Sequence, residues 1–164
     1  MSSGVVHTKT TMITALLAGT ASSFLGADMG YSIIGTFGIM LGVILSPDLD
    51  LSDTGFHGLY ILRVLFGEYF SRVFQAYWTP YSMIVRHRSW ISHAPIISTA
   101  IRLMYLFAPL VIVLIILGYR INEDSIISLI VLFSGIALSD CMHIAMDVLS
   151  TGIKNAIRRL VSCR

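Results

Sequence analysis

The chain has 164 residues, of which 55% are hydrophobic and 12% charged, with a formal net charge of +2. A mean hydropathy of +0.81 lies above the range of ordinary soluble domains and points to a single integral membrane domain. The small charge gives no footing for nucleic-acid binding. The two cysteines, Cys141 and Cys163, lack a C-x-x-C spacing, which argues against a disulfide framework or a Cys-rich zinc site.

Four runs are long enough to cross a hydrocarbon core, which takes ~17–25 helical residues. Thr10–Ala27 is rich in Ala, Gly, Ser and Thr, a composition suited to close packing inside a bundle. No basic residue precedes Lys9, so this run is expected to be a retained helix and not a cleaved leader. Tyr31–Ser46 carries Gly35, Gly38 and Gly42, and Gly38-x-x-x-Gly42 offers a close helix–helix contact. The long stretch that follows, Leu49–His93, has apolar residues at near-helical spacing over Gly58–Trp78, interrupted by Arg63, Glu68 and Arg72. That pattern predicts an interfacial or re-entrant amphipathic helix. Ala94–Tyr119, with Pro95 in its first turn, and Ser125–Val148 complete the predicted spans. The fold expected is therefore an all-α membrane bundle of four transmembrane helices plus one interfacial helix.

Lys and Arg collect before the first span, in the middle stretch and in the C-terminal tail. The positive-inside rule then places both termini and the middle stretch in the cytoplasm. With four spans, every scarce polar cluster arrives on one membrane face. His7 precedes the first span, and Asp48 and Asp50 follow the second in S-P-D-L-D. His87 and His93 precede the third in R-H-R-S-W-I-S-H, and Asp140, His143 and Asp147 close the fourth. Ionisable groups beside membrane-length runs are costly unless paired, cavity-facing or metal-bound.

Asp140, His143 and Asp147 are spaced i, i+3, i+7 and share one helix face. His143 and Asp147 can chelate one ion or bridge two, and imidazole with carboxylate suits zinc, manganese, iron or nickel. His87 and His93 converge only if a turn separates them, with Ser89 or Ser92 as a helix cap. Arg86 and Arg88 are either positive-inside anchors or contacts for an anionic substrate group. Asp140 is either a ligand or an orienter of a histidine. Cys141 reads as a packing residue and His57 as a loop or interfacial residue.

The motifs S-G-V-V-H (Ser3–His7), P-D-L-D (Pro47–Asp50), R-H-R-S-W-I-S-H (Arg86–His93) and D-C-M-H-I-A-M-D-V-L-S-T-G (Asp140–Gly152) resemble a known pattern. They are similar to the small membrane-bound, metal-dependent hydrolase-like proteins, including a LexA-regulated inner-membrane group. They are still more similar to a related branch described only as uncharacterised metal-binding proteins. That resemblance implies a distant likeness to zinc-dependent phospholipase C and P1-type nucleases, and hence phosphoester or lipid hydrolysis by metal-activated water. Where the LexA-regulated group carries a His after P-D-x-D this chain has Leu51, which implies fewer ligands than a three-metal site needs.

The expectation is one or two divalent ions, zinc before manganese or iron, held by His7, Asp48, Asp50, His87, His93, His143 and Asp147. Asp50 or Asp140 would act as general base, and Arg86 and Arg88 would hold the substrate. The partners expected are the lipid bilayer of a cytoplasmic-type membrane, bacterial inner or thylakoid-like, and a lipid or phosphoester substrate. A second subunit or partner protein is compatible with the Gly-rich run. The alternative is a non-catalytic protein in which the metal ties helix ends together.

Overall fold

The first apolar run folds as α1, Gly4–Phe24, and the computed structural model describes residues 4–50, 57–85, 94–119 and 122–162. The side chains of Asp50 and of residues 156–162 also fall outside that description. Every long element within it is a helix. After α1 come α2 (Met29–Leu41), a 3-10 turn (Pro47–Asp50), α3 (His57–Ile84), α4 (Pro95–Ile116) and α5 (Glu123–Ser162).

Several hydroxyls of α1 are absorbed by their own helix. Thr8, Thr10 and Thr20 hydroxyls donate to the carbonyls of Gly4, Val6 and Leu16, four residues back, at 2.9–3.0 Å. Asp28 caps α2, its Oδ1 accepting from the Gly30 and Tyr31 amides at 2.8 and 3.2 Å. α2 closes at Leu41, and the chain then curls through turns in which Ile44 N and Leu45 N both donate to Leu41 O. These turns deliver the 3-10 turn and its aspartates.

Gly35 and Gly38 of α2 and Gly42 at its end face α5. A Cβ on Gly38 would lie 2.6 Å from Leu132 O, and one on Gly42 2.3 Å from the Ser139 side chain. A Cβ on Gly135 of α5 would lie 2.4 Å from Gly35 O. The two backbones therefore touch directly, and α2 and α5 form the most extensive helix pair among the described residues. α1 packs on both, α4 packs on α5, and the 3-10 turn rests against α3.

Leu45, Leu49, Trp78, Tyr81 and Ile136 form the buried apolar cluster that seats the turn between α3 and α5. α3 is joined to α4 by a reciprocal pair of hydroxyls. Tyr77 Oη donates to Tyr105 O at 2.8 Å, and Tyr105 Oη donates to Tyr77 O at 2.7 Å.

α3 is two helical pieces meeting at Gly67, whose φ of 86° and ψ of 171° suit glycine alone. Glu68 spans the bend, taking Arg63 Nε at 2.6 Å and Arg72 Nε at 3.1 Å on its two oxygens. These exposed pairs add little stability, so the glycine sets the bend. Gly67→Ala is expected to lose about 1–3 kcal/mol, the usual cost of holding a residue in such a region. Thermal unfolding of the purified protein checks this, since open space around Gly67 removes any steric contribution.

The four-span expectation is corrected. Among the described residues two helices, α4 and α5, are long and apolar enough to cross a membrane. α2 has 13 residues, because the predicted run to Ser46 is spent in turns after Leu41. At 1.5 Å per residue it spans only about 20 Å. α1 has the length, at 21 residues, but His7, Lys9 and its many Thr, Ser and Gly residues dilute its apolar character. The fourth predicted run does not end at Val148. It continues as a single helix of 40 residues, because neither Gly152 nor the polar residues beyond it break the backbone ladder. At the start of α4, Ala94 and not a serine occupies the cap position, with Pro95 in the first turn.

Candidate metal centre

His7 sits in the second turn of α1, Asp48 in the 3-10 turn, and His143 and Asp147 one turn apart on α5. The seam of glycines brings the end of α2, and with it Asp48, against the middle of α5. α1 lies across the same helices and swings His7 over His143. The two imidazoles stack with centroids 3.8 Å apart and planes inclined by 15°.

Carboxylates close the cluster. His7 Nε2 lies 3.2 Å from Asp147 Oδ1, and His143 Nε2 lies 3.8 Å from Asp147 Oδ2 and 3.5 Å from Asp48 Oδ2. One donor atom from each of His7, His143 and Asp147 falls within 4.8 Å of the others. The residues fit a divalent ion. Two nitrogens and a carboxylate oxygen form a borderline donor set, His143 is only 7% exposed, and Asp48 lies at its edge. Asp48 Oδ1 is buried without a hydrogen-bond partner among the described residues, as a carboxylate oxygen facing a cation or its bound water would be.

Asp140, placed on the same face as His143 by its spacing, is not part of this group. It points to α4, where Oδ2 accepts from Arg102 Nη2 and from Thr99 Oγ1. Arg102 is 1% exposed and Asp140 0%. The sequence reading passes over Arg102, and a signal for it exists. It is the one basic residue inside the third apolar run before that run's last residues, and a charge there requires a partner. His57, expected to be a loop or interfacial residue, begins α3 and lies against α1, where a Cβ on Gly4 would come within 2.5 Å of its own Cβ. Cys141 is exposed on α5. Asp50 ends the 3-10 turn, but its side chain lies outside the described residues, as do Arg86, His87, Arg88 and His93.

A helical bundle with a part-buried imidazole–carboxylate cluster where its elements converge has the donor set of an all-α metal-binding protein. Residues 2–157 match the model of a family described as uncharacterized metal-binding protein (DUF2227), and the chain belongs to that family. No curated protein and no solved structure matches it.

Proposed function

We propose that His7, His143 and Asp147 hold one divalent ion, zinc by preference, and that the centre serves the hydrolysis of a phosphoester, with lipids among its substrates. The observation that carries this reading is the meeting within 4.8 Å of His7, near the start of the chain, with His143 and Asp147 on the last helix. Three donors among the described residues leave coordination positions open, the arrangement of catalytic rather than closed structural sites. A divalent ion in such a set supplies Lewis acidity and a water that ionises near neutral pH. Asp48 is the carboxylate placed beside the cluster to take a proton, through an oxygen without a hydrogen-bond partner among the described residues. Asp140 is ill-suited to that task, since Arg102 and Thr99 engage it in a fully buried pair. Arg86 and Arg88 are proposed to grip the phosphate.

The bilayer is the proposed setting. Only 11% of the apolar stretch of α4 and 28% of that of α5 is buried within the chain, unlike the core helices of a soluble protein. Met104, Ile115 and Ile116 on α4, and Leu16 and Phe24 on α1, are broadly exposed.

A structural role for the ion is the second reading. It is favoured by the way the cluster ties α1, the 3-10 turn and α5 together. Assays of the zinc-loaded protein in detergent on phosphomonoester, phosphodiester and phospholipid substrates separate the two. In the catalytic reading Asp48→Asn retains zinc while turnover falls by about 10²–10⁴. Zinc retention by the wild type with no turnover on any phosphoester leaves the structural reading standing.

A further inference from the structure

We infer that Arg102, on α4, is a positioning residue for the metal cluster: through Asp140 it fixes the rotation and axial register of α5, and so the aim of His143 and Asp147. This rests on the metal-binding reading of His7, His143 and Asp147.

The need for such a device follows from the packing. α5 meets α2 along Gly135 and Ser139 facing Gly35, Gly38 and Gly42. A seam of small residues permits close approach but has little to resist sliding, and apolar contact is not directional. Yet the cluster tolerates little error, because each residue of slippage along a helix turns its side chains by about 100°.

The Arg102–Asp140 pair is directional. The guanidinium is anchored on its own helix, with Nε donating to Ser98 O at 3.2 Å and Nη2 lying 3.5 Å from Thr99 Oγ1. From that fixed point it reaches Asp140 Oδ2, which also accepts from the Thr99 hydroxyl. Asp140 precedes His143 by three residues on one unbroken helix, less than a full turn, so fixing one fixes the other. The two side chains leave α5 toward different partners, Asp140 toward α4 and His143 toward the 3-10 turn and α1. The helix is thereby held from two sides.

Stability alone is a poor reason for this pair. A buried ion pair is often replaced by packed apolar groups without loss of stability, and its best-attested use is to specify register.

The test uses cobalt(II) bound by the full chain in detergent, with affinity and the visible ligand-field spectrum as readouts. Helical content and thermal unfolding are followed in parallel. The double variant Arg102→Met with Asp140→Leu removes both charges at similar volume. It is expected to fold as the wild type does, to bind cobalt about 10–100-fold more weakly, the range seen when groups that orient metal ligands are lost, and to show a changed spectrum. Thr99→Val removes one hydrogen bond to Asp140 and is expected to shift both readouts in the same direction by less. Arg102→Lys keeps the charge and is expected to restore part of the affinity.

A folded double variant with wild-type affinity and spectrum overturns the positioning role while the metal reading survives. If the double variant does not fold, Thr99→Val decides, and an unchanged affinity and spectrum there overturns the role. A wild-type protein that takes up no cobalt and no zinc removes the metal reading, and the positioning role falls with it.

Discussion

His143→Ala is expected to abolish metal retention, with a loss of affinity well beyond the roughly 10–100-fold that follows when only an orienting neighbour is removed. The reason is its central place. His143 stacks on His7 and faces both Asp48 and Asp147, so its loss removes a donor and the contact that seats a second one. Metal analysis of the purified protein reads this directly. Thermal unfolding gives an independent reading, because an ion bound only by the folded state stabilises it. At a free zinc concentration 100 times the dissociation constant, that linkage amounts to about 2.7 kcal/mol. The wild type is expected to melt later when zinc is added, and His143→Ala to show no such shift. Equal zinc content in the two proteins would remove His143 from the site.

The largest effect on stability is expected at Gly135. Alanine is the better helix former by about 1 kcal/mol in a helix interior, so a helical glycine with space around it should gain from the exchange. Gly152 is such a position, with no described atom beyond its own stretch of helix within 4 Å of an added Cβ. Gly152→Ala is therefore expected to stabilise by up to that amount. At Gly135 the same Cβ would meet Gly35 O at 2.4 Å, Ile39 N at 3.0 Å and Gly38 Cα at 3.1 Å, all backbone atoms that no rotamer change can move. α2 and α5 must separate, and overpacking of this kind costs about 1–3 kcal/mol or more. Gly135→Ala is expected to lose stability despite its propensity, and Gly135→Val to lose more. Metal affinity should fall with it, because α1, which carries His7, packs on both of these helices. Parallel thermal unfolding of Gly135→Ala and Gly152→Ala checks the opposite signs. Stabilisation by both would mean that the helices do not touch at Gly135.

The contrast between these glycines shows what can be read from a sequence. Gly38-x-x-x-Gly42 marks a close helix contact through spacing alone, but its partner, Gly135 with Ser139, becomes visible only when α2 and α5 are brought together. His7, Asp48, His143 and Asp147 stand out because polar residues are scarce in this chain and must be accommodated somewhere. Their meeting is visible in the fold, with His7, His143 and Asp147 as the proposed ligands and Asp48 as the proposed proton acceptor. Asp140 is harder to place. The spacing i, i+3 puts it on the face of His143, yet the tilt within that face sends it to α4, and only Arg102 explains why. Arg102 itself is easily missed, because one arginine in a run of apolar residues barely changes its hydropathy. The number of spans cannot be had from apolar length alone. The backbone bends from Gly42 onward shorten α2 below membrane thickness, and the absence of a breaker lets α5 run to 40 residues.

His7 and Asp147, in contact at 3.2 Å, are separated by 140 positions of chain. Synthesis at about 5–20 residues per second means that His7 waits roughly 7–28 seconds for its partner. Throughout that interval α1, α2 and the 3-10 turn are made while the cluster is still incomplete. A chain stalled before its last helix thus lacks two of the three proposed donors, His143 and Asp147. With these residues as the proposed ligands, metal uptake would be a late event that records whether the whole bundle has closed, and loading with the ion would separate finished molecules from partial ones.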